Sequence, residues 1–462
     1  MTKLKTVLLG SVTAIAVTTG AQAADMMMDV KAPREPVYRC DVTGFIELPG
    51  TDICFKVGGY AMLVAYASED QWDAFGTGAA YGIVPDGHTL EDTTGMYAVG
   101  RVNFDARTST EYGTVRAYVE MQAVDNDTRT GGSFDLRHAF VQFGNWTFGK
   151  TWSTFLNLES SPVYTDLLTV TGDNFMRRNQ IRYTQSFGRG FSVSIAVEDQ
   201  DYTTPSAITA AGLFAPVWGF CGGGCAVVSN RNDVPDVVAN IKAEGDWGSA
   251  QLSGALHNNA FRDVFLGSAP ATVPGSQTDS EIGWAALFGL LVNTPATGEG
   301  DYFTFKAIYT DGATQYNQDN FLWTTNTVWG ACNWLVPANG DCAVDTVTTW
   351  SVLASFTHNW SSTWSSTVGA GYQNVSAPMT VFNAGVPSLS SDFDMDTYEI
   401  FGNVSWMPVN NLTIMFGVHY GHVDFNGAGT TPAGGFDPFT ANPAAADDQG
   451  ALAVALDIVR SF

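Results

Sequence analysis

Charge is what this sequence has least of. Only 15% of its 462 residues are Asp, Glu, Lys or Arg, against roughly 25% in an ordinary soluble protein. Cations are the scarcer sign, with 21 Lys and Arg against 46 Asp and Glu and a formal net charge of −25. A phosphate-binding surface needs the opposite balance, so nucleic acid is excluded as a partner. Long hydrophobic runs are also missing. Beyond the N-terminus nothing approaches the roughly 18 continuous apolar residues of a membrane helix, the nearest stretch being 285–292. No HExxH metal motif and no GxSxG nucleophile elbow occurs, which leaves hydrolytic chemistry without its usual groups. The six histidines stand singly, apart from His419 and His422. Acid pairs such as Asp394 and Asp396 read as solvated loop residues among many. No catalytic residue, metal ligand or cofactor is therefore assigned.

What is present points elsewhere. Lys3 and Lys5 precede an apolar run from Val7 to about Gly20, and Ala21-Gln22-Ala23 has the small residues of a cleavage site. Residues 1–23 thus read as a secretory signal peptide, with one domain over 24–462. Glycine (48), Phe (29), Tyr (16) and Trp (13) are generous. An exported, aromatic-rich chain without a membrane helix fits an all-β transmembrane antiparallel barrel, since only helices and closed barrels satisfy their backbone in lipid. Secreted all-β enzymes and sugar-binding sandwiches share this composition, so the period of the side chains has to decide.

The stretch 134–187 gives that period. FDLRHAFVQFG turns at Asn145 and returns as WTFGKTW; a polar segment follows and opens into NFMRRNQIRYTQSF. Counting by two puts Arg178, Gln180, Arg182 and Thr184 on one face, and Ile181, Tyr183 and Phe187 on the other. A strand between lipid and water has this alternation. It recurs in 97–108, where Arg101, Asn103, Asp105 and Arg107 share a face, and in 114–122, where Arg116, Tyr118, Glu120 and Gln122 do. Short turns alternate with much longer connections through to Phe462, the asymmetry of a membrane barrel. Strands of about ten residues predict sixteen, and eighteen stays open because boundaries between 260 and 350 are poorly marked. The six cysteines fall into near pairs, Cys40 with Cys54, Cys221 with Cys225 and Cys332 with Cys342. Local pairing is the expectation, although sequence alone allows fifteen connectivities.

PGTD at 49–52, FKVGGY at 55–60, LRHAFVQFG at 136–144, FGKT at 148–151, NQIRYTQSFG at 179–188 and the final Phe462 together resemble the general porins of alphaproteobacteria. The resemblance implies homotrimers of sixteen-stranded barrels in a Gram-negative outer membrane, surrounded by lipid and lipopolysaccharide. It also implies an inward-folded loop that narrows the barrel, and passive passage of ions and small hydrophilic solutes. A solute-specific channel and an adhesive surface barrel are the alternatives. The constriction loop is expected over 153–174, with Glu159, Asp166 and Asp173 as its negative groups. Arg101, Arg116, Arg178 and Arg182 are expected on the positive wall, with Arg107, Lys150, Tyr118 and Glu120 as further lining residues. Arg137 is a weaker candidate for the same wall, because alternation puts it on the face of Ala139, Val141 and Phe143, towards lipid or at the rim.

Overall fold

The computed structural model describes residues 40, 44–69, 93–125, 133–166, 170–199, 225–231, 234–266, 278–317, 328–332, 342–383, 386–426 and 449–462. The predicted leader at 1–23 and Cys221 lie outside the described residues.

Alternating side chains make strands, and these strands have nowhere to end but on each other. In chain order they are β1 (Cys54–Ser68), β2 (Thr93–Thr110), β3 (Gly113–Asp125), β4 (Ser133–Phe143), β5 (Trp146–Trp152) and β6 (Arg177–Gly188). Next come β7 (Phe191–Glu198), β8 (Asp236–Gly245), β9 (Gly248–Leu266), β10 (Thr278–Asn293) and β11 (Tyr302–Asp311). The last five are β12 (Thr348–Asn359), β13 (Trp364–Asn383), β14 (Val386–Val409), β15 (Leu412–Asn426) and β16 (Gln449–Ser461). Each pairs antiparallel with its chain neighbours, and β1 closes on β16 from Tyr60↔Ser461 to Ser68↔Ala453. Phe462 N donates to Gly59 O at 3.0 Å, so the final aromatic sits in the closing seam. The result is a closed barrel of sixteen strands, each paired with a barrel strand on both sides.

Four short strands add to it. Ile46–Glu47 pairs with β1, and Cys225–Arg231 pairs with the far half of β9, in line with β8. Val328–Cys332 and Cys342–Thr346 form a separate ribbon. Within the stretch whose boundaries the sequence marks poorly, 328–332 and 342–346 thus belong to this ribbon and not to the barrel. Cys40 and Cys54 are disulfide-bonded, as the local pairing anticipates. Cys332 and Cys342 face each other across the ribbon.

Burial is inverted relative to a soluble sandwich. Ile181 (53% exposed), Leu252, Val368, Ile400 and Phe416 point outward, while Thr304, Thr310, Ser351, Gln373 and Thr397 are buried inside. An apolar outside is stable only against lipid. Aromatics gather in two outward belts. One, at the short-turn rim, includes Trp146 against Tyr183 (5.0 Å between ring centroids) and Trp364 against Trp406 (5.6 Å). The other includes Trp284 against Tyr309 (5.1 Å) and Trp350 against Tyr372 (4.9 Å), with Tyr398 and Tyr420 nearby in register. On β14, Tyr398 and Trp406 are about 27 Å apart along the strand, commensurate with an apolar band about 25 Å tall crossed by tilted strands.

Candidate functional site

The described residues between β5 and β6, 153–166 and 170–176, do not leave the barrel. Ser153 Oγ donates to Glu198 Oε2 at 2.7 Å, and Thr154 N to Glu198 Oε1 at 2.6 Å. Asn240 Nδ2 on β8 donates to Thr154 O, and Gln251 Nε2 on β9 to Leu156 O. Farther round, Asn403 Nδ2 on β14 donates to Val163 O at 2.6 Å, and Thr165 Oγ1 meets His419 Nε2 on β15 at 3.0 Å. Asp166 N donates to Asp457 Oδ2 on β16 at 2.7 Å, and Thr171 N to Glu399 Oε2 at 2.9 Å. Polar wall residues that a sandwich would leave in water are here the pins of one loop. The loop's apolar side chains Phe155, Leu156 and Met176 pack on Val238, Ala255, Leu287, Ile308 and Tyr316, which forms an internal core under the loop.

Glycine allows the approach. Gly371 faces Thr171 so closely that a Cβ there would lie 1.9 Å from the Thr171 carbonyl oxygen, and at Gly417 it would meet Thr165 Cγ2 at 2.6 Å. Glycine inside a strand commonly marks such a close backbone approach.

Three of the expected charges hold the loop, and two of them, Asp173 and Arg178, are buried and do not line the lumen. Asp173 is fully buried, ion-paired with Lys306 on β11, and accepts from Ser161 Oγ (2.8 Å) and Tyr164 Oη (3.1 Å). Glu159 bonds Lys242 on β8 at 2.5 Å, and Lys242 also bonds Glu244 at 2.9 Å. Burial opposes the Glu159 charge, but the Lys242 ammonium outweighs it and holds the carboxyl below its ordinary value. Arg178 points inward as the alternation predicts, but it is buried behind the loop beside Glu198 and Tyr316. For Asp173 and Arg178 the reason is common: the loop folds back over β6–β11 and covers what the bare wall would expose, whereas Glu159 keeps 42% of its side-chain surface in water. Lys150 is set apart from the lumen wall, with its Nζ 4.0 Å from Asp135 Oδ1. It pairs across with Ala139 and Asn179, in the outward rows that carry Phe148 and Ile181.

On the opposite wall the arginines stay in water. Arg101 Nε donates to Gln122 Oε1 at 2.9 Å, lies 3.7 Å from Glu120, and stacks over the Tyr60 ring at 4.6 Å. Arg107 and Arg116 both grip Asp105 through two nitrogens, with closest distances of 2.9 and 2.8 Å. Arg116 also donates to Gln142 Oε1 at 3.0 Å. Arg182 lies in the same cross-strand row, reached through Gln142 and Thr147, and its Nε is buried without a hydrogen-bond partner. Tyr118 donates to Glu120 Oε2 at 2.9 Å.

Sequence periodicity misplaces Arg137. The β3–β4 register runs Glu120↔His138 and then Met121↔Leu136, so Arg137 is the extra residue of a β-bulge. A bulge re-aims one side chain. Arg137 Nε donates to Glu120 Oε1 at 3.1 Å, inside the barrel rather than towards lipid. Arg177, at the loop's end, stacks over Trp152 at 3.7 Å and donates from Nε to His138 Nε2 at 3.3 Å. His138 Nε2 is thereby an acceptor, and its Nδ1 is the protonated nitrogen facing Thr151 Oγ1 at 3.1 Å. The signal for Arg137 in the sequence is only that a lone arginine on a lipid face is costly.

Asp166 is the loop carboxylate that faces these arginines. It is open to the lumen, yet protein encloses it, and that desolvation raises its pKa against the pull of Arg101 and Arg137. Among the described residues no group of three or more His, Cys, Asp or Glu is arranged to hold a metal ion.

Comparison with known proteins agrees with this architecture. A family model of the porin subfamily matches residues 25–451. Porin Omp2a of Brucella canis is 29% identical over 277 residues, 55% of this chain and 65% of that protein. Porin Omp2b of Brucella suis is 28% identical over 269 residues, 53% of this chain and 64% of that protein. The alignments therefore span just under two thirds of these relatives. In fold, the chain is similar to the outer-membrane channel DcaP of Acinetobacter baumannii, with a TM-score of 0.59 at 18% identity over 89% of this chain and 97% of that one. The lipid-facing barrel and the family match over nearly its whole length lead to one conclusion: the chain belongs to the porin subfamily and resides in the outer membrane.

Proposed function

We propose that this protein is a general-diffusion porin, a water-filled channel through which ions and small hydrophilic solutes cross the outer membrane passively. The observation that carries the reading is the loop 153–176. It is pinned along β7–β16 and leaves charged groups facing water on both sides of the waist, Asp166 on the loop and the arginines of β2–β4 on the wall. Fixed charges on facing sides compensate an ion for part of its lost hydration without binding it tightly. Their transverse field orders water and disfavours apolar solutes. The arginines suit this role because shared carboxylates hold their planar heads still. Glu159, Asp173, Arg178 and Lys242 set the waist indirectly, by fixing the loop.

A solute-specific channel would use Tyr118 as a binding platform. That ring is already covered by the Arg116 guanidinium at 5.0 Å and stacked with Phe140 at 5.3 Å, which favours the general reading. The proposal extends to a homotrimer set among outer-membrane lipid and lipopolysaccharide. In planar bilayers the purified protein is expected to give large, ohmic conductance steps that close in threes. Folded, inserted protein without steps would sink the channel reading in favour of a surface barrel, and saturable block by one sugar would promote the specific channel.

Asp166 adds a pH dependence. Its pKa is raised, so it loses its charge at higher pH than a free aspartate when the solution is acidified. The negative side of the waist is then lost first as pH falls, and selectivity is expected to shift towards anions above the usual aspartate range near 4. Reversal potentials titrated for the wild type and Asp166→Asn check this. An equally early shift in Asp166→Asn would assign it to another carboxylate.

A further inference from the structure

The chain is strongly acidic overall, yet its waist is not. Two carboxylates serve the arginine wall, and each is shared. Glu120 lies 3.1 Å from Arg137 and 3.7 Å from Arg101, with Arg177 close by on His138 and Trp152. Asp105 is gripped by Arg107 and Arg116, and Arg182 continues their row. Glu120 thus sits among three guanidinium groups and Asp105 between two. The two tiers are separated along β2 by the step from Arg101 to Arg107, about 20 Å at strand spacing.

The rest of the lumen does not balance them. Asp173, Glu198, Asp236, Glu399 and Asp457 face inward but are at most 5% exposed. They are committed to Lys306, to Ser153 and Thr154, to His257 and Tyr316, to His419 and Thr171, and to Asp166 N, respectively. Glu159 and Glu244, with 42 and 51% of their side-chain surface in water, share Lys242 on the β8 side, away from the arginine wall. Asp166 faces the upper tier from the loop, and Asp135 ends the Arg101–Gln122 row on β4, 4.0 Å from Lys150. In contrast, Arg101, Arg107, Arg116 and Arg137 keep 16 to 35% of their side-chain surface in water. Buried, paired carboxylates act on a passing ion far less than water-facing guanidinium groups at close range.

We infer that the channel, read as above as an open porin, prefers small oxyanions such as carboxylates, which step between two arginine stations. Guanidinium forks match a carboxylate in plane and hydrogen-bond geometry. Two moderate stations in series attract an anion without trapping it, which is what throughput requires. The net charge of −25 misleads here, because five inward-facing carboxylates are buried and committed to partners, and the exposed Glu159 and Glu244 are tied to Lys242.

The test is a reversal-potential measurement in a potassium chloride gradient, followed by millimolar citrate on one side. The wild type is expected to be anion-preferring and partly blocked by citrate. A unit charge about 7 Å from the ion path changes local ion concentration by about threefold in water. Arg101→Gln with Arg137→Gln should therefore lower the anion-to-cation permeability ratio by about that factor or more, and weaken the block. Glu120→Gln moves charge the other way and should raise the ratio, so the pair remains informative even if the arginine variant folds poorly. Steps with a cation preference, or a Glu120→Gln change in the wrong direction, overturn the anion stations and leave the porin reading intact. Folded protein with no steps overturns that reading itself.

Discussion

Lys306→Met is expected to destabilise the barrel by about 3–5 kcal/mol, because it leaves a buried carboxylate without its counter-charge. Lys306 and Asp173 are 1% and 0% exposed, and Lys306 Nζ also donates to Ser161 Oγ at 2.9 Å. Methionine keeps the volume but not the ammonium, and Ser161 and Tyr164 cannot neutralise Asp173. The double variant Lys306→Met with Asp173→Asn should recover most of the loss, since replacing both partners removes the uncompensated charge. Urea unfolding in lipid vesicles measures both. A single variant within about 1 kcal/mol of wild type would mean that water reaches Asp173. A double variant no better than the single would mean that packing, not charge, sets the cost. Single-channel recordings of Lys306→Met should also show frequent brief closures, because this pair pins both limbs of the loop, at 161 and at 173.

Gly371→Val should act on the waist directly. Its Cβ would fall 1.9 Å from the Thr171 carbonyl oxygen and 2.9 Å from the Thr171 carbonyl carbon. Strand β13 is held on both sides by its ladder, so the loop has to yield. Displacement away from the wall is displacement into the lumen, and the bond from Thr171 N to Glu399 is strained with it. A lower unitary conductance is expected, together with an overpacking cost of about 1–3 kcal/mol. Gly402→Ala is the control. It lies on the adjacent strand, and its Cβ meets nothing nearer than Thr367 O at 3.7 Å. Equal conductance in both variants would show that 170–172 does not border the ion path.

Some residues carried their role openly in the sequence. Arg101, Arg107, Arg116, Tyr118 and Glu120 face the lumen as their two-residue spacing predicts. Trp146, Trp406 and Tyr420 lie on the outward face. The spacing of β6 also places Ile181 outward and Arg178 inward, but spacing cannot say what covers a side chain. Arg178 is inward and buried; Asp173 is on the loop and buried. The loop passes over β6–β11, and contacts between residues more than a hundred positions apart leave no local trace.

Arg137 marks the other limit. One extra residue in a strand reverses the facing of a side chain, and nothing in LRHAFVQ announces it. By itself the sequence determined the membrane-spanning barrel, because alternating apolar and polar residues with no membrane helix leave lipid outside and water within. Its spacing also determined which wall carries most of the arginines. The tertiary structure alone decided which charges meet water at the waist. That choice depends on where one loop lies, held by its long-range pins to β7–β16, and on a single bulge, and neither is written in nearest-neighbour periodicity.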